Sequence, residues 1–175
     1  MTNEKESPFR LHGILAQVLD GLWFLEVEKS LGFDRAYEID EAVWIAYAKK
    51  EARRVRSYLG FDKPSVADLE RTLALSLFHQ SVAFTLKVSG PNDGEFVRVT
   101  LSVVECKTLD GMRRVGRPGE QIRKICHGIG LAFYQNLLDE LVPGTRVRCL
   151  NCPGMGETTA SRCRWEFDLP RNGLR

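Results

Sequence analysis

No stretch of this sequence approaches the ~20 consecutive apolar residues of a membrane-spanning helix. Its opening, MTNEKESPFR, has no apolar core of the kind a secretion signal requires. Both absences predict a cytoplasmic protein without a membrane partner. No glycine-rich phosphate loop, Ser–His–Asp pattern or His-x-x-x-His occurs, which sets aside the commonest signatures of nucleotide, serine-hydrolase and zinc-protease chemistry. A net charge of +2 is too small to imply a nucleic-acid partner, and none is expected. Internal repeats and low-complexity tracts are missing. Cysteine is missing from the first 105 residues, yet five follow, at 106, 126, 149, 152 and 163. In a reducing compartment an odd set of thiols does not read as a disulfide framework.

What is present fits one domain over residues 1–175, with a helical part at 8–80 and an α+β part at 81–170 carrying all five cysteines. From Pro8 to about Leu31, Leu11, Ile14, Leu15, Val18, Leu22 and Leu25 recur at three- and four-residue spacing, which predicts a helix. DGLWFLEVEKSLG is apolar on more than one face and is expected near the centre of the packing, with Asp20-Gly21 a point where the helix can break. Asp34 suits the cap of a long helix ending before Gly60, and Ser65 the cap of a third reaching about Phe78.

The period then falls to two. Val82, Phe84, Leu86 and Val88 alternate as in a half-buried strand, GPNDGE turns, and FVRVTLSVVEC returns as a hairpin partner. DGMRRVGRPGE reads as a loop. GMRRVGRPGEQIRK is locally basic, by default a solvated segment and otherwise a contact for phosphate or carboxylate. A helix follows from Glu120 to about Val142, then strands in TRVRCL and RCRWEFDL. The fold class is α+β: N-terminal helices packed with an antiparallel sheet and one long helix, strand–strand–helix–strand–strand in the C-terminal half.

Alternation places Cys149 and Cys163 on the apolar faces of their strands, and helical spacing places Cys126 on a buried stripe. Cys152 lies in the CLNCPG turn. Cys106 shares the parity of Arg98, Thr100 and Ser102, and joins the others only if its strand bends. Thiolates so grouped suit zinc or an iron–sulfur cluster, with Cys126, Cys149, Cys152 and Cys163 as ligands and Cys106 as a fifth. Packed, inert thiols and a redox Cys-x-x-Cys are the other readings. Cys126 beside His127 is the candidate nucleophile and acid–base pair. Glu157 is the nearest carboxylate, solvated in its loop. Trp23, Phe133 and Trp165 are expected in the core, with pocket lining as their second reading.

DGLWFLEVEKSLGFDRAYEID, EARR, CHGIG and CLNCP…CRWEF together resemble an uncharacterised prokaryotic family, catalogued as a domain of unknown function, whose cysteine pattern all five thiols fit. Where that family has Pro-Pro-Asp-x-His-Pro, this chain has Pro153-Gly154-Met155-Gly156. CHGIGLAFYQNLLDEL followed by CPGMGETTASRCRWEF is similar to the small-molecule-binding domain of the 4-vinyl reductase family, with Cys126, Cys152, Gly156, Cys163 and Trp165 at the matching positions. That resemblance implies an α+β fold, a small hydrophobic or tetrapyrrole-like ligand, and cysteines as metal ligands. The L-2-amino-thiazoline-4-carboxylic acid hydrolase family has a similar Cys-x-aromatic-x-Phe ending. The functional expectation is therefore a metal- or iron–sulfur-binding domain that senses or handles a small molecule. Its alternatives are a cysteine-dependent hydrolase of a small C–N or C–S substrate and a structural metal domain in a protein complex. The partners expected are a small-molecule ligand and a second copy in a homodimer.

Overall fold

The structure, a computed structural model, describes residues 8–89, 94–153 and 163–175. Helix α1 (Pro8–Leu31) runs through Asp20-Gly21 without a break. Its inner face is small and polar rather than leucine-rich. Gly13 lies so close to Gln80 that a Cβ would sit 2.2 Å from Gln80 Cγ. Gln17 Nε2 donates to the carbonyls of Leu77 and Phe78, the latter at 2.9 Å. The stripe Leu11, Leu15, Val18, Leu22, Leu25 faces outward, each residue between 39% and 57% exposed. The expectation that this segment lies centrally is thus corrected, because the glycine and glutamine contacts take the inward face.

Helix α2 (Phe33–Leu59) ends at Gly60, whose φ of 70° allows its N–H to reach Arg56 O at 2.9 Å. Helix α3 (Val66–Leu75) begins in a capping box: Ser65 Oγ accepts from Asp68 N, and Asp68 accepts from Ser65 N. It ends sooner than the apolar spacing predicts, and a 3₁₀ turn (Leu77–Ser81) leads into the sheet. Strands β1 (Val82–Val88), β2 (Phe96–Cys106), β3 (Arg146–Asn151) and β4 (Cys163–Pro170) form an antiparallel sheet in the order β1-β2-β4-β3.

The segment read as a loop after β2 begins with a helix, α4 (Lys107–Arg114). Cys106 Sγ accepts the Leu109 N–H at 3.4 Å, and Leu109 is buried beneath the first turn. A cysteine cap and one buried leucine leave almost no periodic signal.

The long C-terminal helix has three parts: α5 (Gly119–Arg123), a π-helical turn (Lys124–Ile129) and α6 (Gly130–Leu141). Two glycines set its approach to its neighbours. A Cβ on Gly128 would lie 2.1 Å from Tyr37 Oη, and one on Gly130 2.9 Å from Trp165 Cζ2. Trp44, Ala48 and Ala52 of α2 meet Phe133, Leu137 and Leu141 of α6 over Val99, Leu101 and Phe167 of the sheet. The alanines let the two helices pack closely on one face. On the other face Arg98 and Arg148 hold Asp168, each at 2.7 Å. The architecture is α+β, with packed N-terminal helices, a central antiparallel sheet and a long C-terminal helix.

Candidate functional site

Two irregularities bring the thiols toward one end of the sheet. Ala83 pairs with Glu105 but Phe84 with Val103, so Val104 bulges outward and Cys106 returns to the core side. Cys149 pairs with Trp165 and faces the core by plain alternation, and a register slip at Leu150 sets Asn151 opposite Arg164, after which Cys152 is buried. Cys163 enters β4 opposite Val103. From the π turn, Cys126 lies near enough to Cys163, Cys106 and Cys152 to feel their charge.

This arrangement corrects the metal expectation. Among the described residues, no group of three or more His, Cys, Asp or Glu side chains is placed to hold a metal ion, so neither zinc nor an iron–sulfur cluster is assigned to Cys106, Cys126, Cys149, Cys152 and Cys163. The sulfurs have other tasks. Cys106 caps α4. A hydrogen bond to Cys152 pushes the Cys149 thiol up, with burial adding to it, and the same bond pulls Cys152 down. Burial, followed by the neighbouring sulfurs, raises the Cys126 thiol well above the usual thiol range. The metal-domain reading in a protein complex loses its basis with it. Glu157 and the stretch 154–156 lie outside the described residues.

Cys126 and His127 both lie in the π turn, adjacent in sequence. His127 lines a polar hollow of about 560 Å³ with Tyr37, Lys124 and Glu120, while Cys126 keeps company with the other sulfurs. Within the described residues no hydrogen bond joins the two, and a protonated, desolvated thiol is a poor nucleophile. The basic segment nearby is tied into the fold. Arg117 makes a bidentate pair with Glu28 at 3.0 and 2.6 Å and lies over the rings of Phe24 and Phe33. Lys124 pairs with Asp34 at 2.7 Å. Phe133 and Trp165 are core residues as expected, but Trp23 is 68% exposed.

A second, more apolar concavity was not legible in sequence. An open cleft of about 460 Å³ lies between α1 and α4, within the size range of small-molecule sites. Leu22, Phe24, Met112 and Ile125 supply apolar walls, and Gly21 and Gly111 widen it. Neither glycine has a neighbour within 4 Å of where a Cβ would stand, so no close packing requires it. Each nevertheless costs its helix about 1 kcal/mol relative to alanine. Ile125 precedes Cys126 and Lys107 follows Cys106, so cleft and thiols adjoin along two chain segments.

Asp20 and Asp40 also line this cleft, as do the cations Lys107, Arg114 and Arg117. Burial raises both carboxyls, and for Asp40 the Asp20 charge adds to it, while the nearby Trp44 indole works the other way. Asp20 is raised, and Asp40 is raised to about 7. A carboxyl raised on folding is stabilising while protonated, and that contribution disappears as pH climbs from the unfolded value of 3.8 through about 7. Asp40→Asn keeps an acceptor near the Trp44 indole and removes the charge. It should leave stability near pH 4 almost unchanged and raise it at pH 9 by on the order of 2 kcal/mol, less than the shift alone implies because the half-buried carboxyl keeps part of its solvent. Urea melts of both proteins across pH check this, and parallel profiles would show that the carboxyl is ordinarily solvated.

The architecture has a counterpart among solved structures. It is similar to the phenol-responsive sensory domain of the transcription activator PoxR, solved with phenol, at a TM-score of 0.56 and 14% identity over 89% of this chain and 76% of that one. At that identity the likeness is one of fold. No curated protein matches the chain. Residues 13–169 match the model of a family of unknown function, DUF6125, and the chain belongs to that family. Membership of the 4-vinyl reductase or thiazoline hydrolase families is not established by these matches. Among the described residues no helix is long and apolar enough to cross a membrane.

Proposed function

We propose that the chain is a sensory domain for a small, largely apolar organic molecule, taken up in the cleft between α1 and α4. The observation that carries this reading is the cleft itself: largely apolar walls, a few charged side chains among them, and two helical glycines that no packing contact requires. A phenol-responsive domain of similar fold supports it, as does the resemblance of the terminal cysteine motif to a small-molecule-binding domain. Neither a metal nor a nucleophilic thiol is part of the reading.

Gly111→Leu provides the test. Its side chain would grow from α4 into open space, filling the cleft while removing a helix-weakening glycine. The variant should melt at the wild-type temperature or above, by up to about 1 kcal/mol in stability. Phenol, toluene and benzyl alcohol, tried separately, should raise the wild-type melting temperature in proportion to occupancy, and should leave Gly111→Leu unmoved. Equal shifts in both proteins, or none in the wild type with any of the three, would overturn the assignment.

A further inference from the structure

Five outward residues of α1, namely Leu11, Leu15, Val18, Leu22 and Leu25, are spaced four, three, four and three apart. That 3.5-residue repeat is the seam of a helix meant to lie along another helix, with apolar side chains at every a and d position. Leu19 and Trp23, both exposed, widen the same side. Nothing else in this chain is suited to cover the seam. Residues 1–7, MTNEKES, are polar except for Met1, and the segments 90–93 and 154–162 contain Met155 as their only large apolar residue. From Leu11 to Leu25 the ionisable side chains are His12 and Asp20 alone, and Asp20 is turned toward Asp40 and Trp44. A charged partner surface would find no complement there.

We infer that α1 is a homodimerisation helix: two copies of the chain pair through this seam about a two-fold axis. The stripe is self-complementary, as an isologous contact requires. With Leu19 and Trp23 it exposes on the order of 800 Å² of apolar surface, which is what one partner contributes to an interface of standard size. Val18, Leu22 and Leu25 also wall the open side of the cleft. The partner's helix therefore roofs the cleft, a consequence that rests on the ligand-binding reading above.

Sedimentation of the full chain over a wide concentration range tests the pairing. The wild type should sediment at twice the 19.8 kDa of one chain. Leu11→Glu combined with Leu15→Glu, at two exposed positions that do not line the cleft, should sediment as a folded monomer with unchanged circular dichroism. Tyr58→Glu, at a still more exposed position on α2, should remain dimeric. A wild type that is monomeric at every concentration overturns the inference, and so does a double variant that stays dimeric. Phenol-dependent melting separates the roof from the pairing. The monomeric variant should need about tenfold more phenol for a half-maximal shift, since the closed site is then rarely populated. Undiminished phenol binding in that monomer would overturn the roof alone. A dimeric wild type indifferent to phenol, toluene and benzyl alcohol would sink the ligand reading and leave the dimer standing.

Discussion

Replacing His79 by leucine should remove a penalty of about 3 kcal/mol that the fold bears in mild acid. The imidazole is 3% exposed and packed edge-on to Phe78 and Phe84. Its Nε2 meets Tyr134 Oη at 3.1 Å, while Nδ1 has no partner among the described residues. Burial depresses its pKa to about 3 from an unfolded 6.5. A depressed pKa means the folded state binds the proton poorly, so stability is complete above about pH 6.5 and declines as pH falls toward 3. Between pH 7 and pH 4 this one group costs about 3 kcal/mol. Asp40 has the opposite sign over much of that range, so the wild-type profile alone is an ambiguous record. The difference between wild type and His79→Leu isolates the imidazole. At neutral pH the variant should be weaker by about 1–2 kcal/mol, because the Tyr134 hydroxyl loses its partner. By pH 4 it should be the more stable protein. Denaturant midpoints at each pH measure the crossing, and a constant gap would mean that His79 is protonated in the fold without penalty.

The second large effect belongs to Glu51. This carboxylate of α2 is buried, accepting from Leu77 N at 2.7 Å, Ser76 Oγ at 2.9 Å and Tyr47 Oη at 2.8 Å. Burial raises its pKa and the three donors work against that rise. Alanine here would strand three donors in a cavity, at a cost of about 3–4 kcal/mol. Glutamine keeps one acceptor oxygen and should cost about 1 kcal/mol. The loss would not stay local. Residues 76–78 lie between Glu51 and Gln17, whose amide holds α1 through the Leu77 and Phe78 carbonyls. Hydrogen exchange should therefore show α1 amides losing protection in Glu51→Ala more than those of β2 and β4. Uniform loss across all elements would mean that α1 is not held through this segment.

Sequence periodicity located the strands and most helices closely because their burial is regular. β2 and β4 alternate apart from the bulge at Val104 and the buried Thr100 and Asp168. Both ends of α1 and the Gly60 end of α2 agree with the spacing, whereas α2 is capped at Gly32, two residues before the Asp34 expected. What escaped was written in other terms. Spacing identified the stripe of α1 but could not say which way it faced. The answer lay in the quiet residues Gly13 and Gln17, whose contacts with Gln80 and with the Leu77 and Phe78 carbonyls involve partners some sixty residues away. α4 escaped because a cysteine caps it and one leucine anchors it. The gathering of thiols could be read from strand parity, apart from the bulge at Val104, but their chemistry could not. Spacing says that sulfurs approach one another, not that they are protonated, capping a helix or bonded to each other. The cleft was invisible because its walls come from a helix expected in the core and a helix expected to be a loop.

The strand order has a kinetic consequence. β2 and β4 form the central pair, Val99 against Phe167, yet α4, the π turn, α6 and β3 lie between them in the chain. The hairpin of β1 and β2 can form early from local contacts, but the β2–β4 ladder must await closure of that long loop. A chain stopped short of Cys163 would hold a half-built sheet with β2's inner edge unpaired. Residues near the C-terminus therefore commit the whole chain to its fold, and refolding should be paced by their arrival rather than by helix formation.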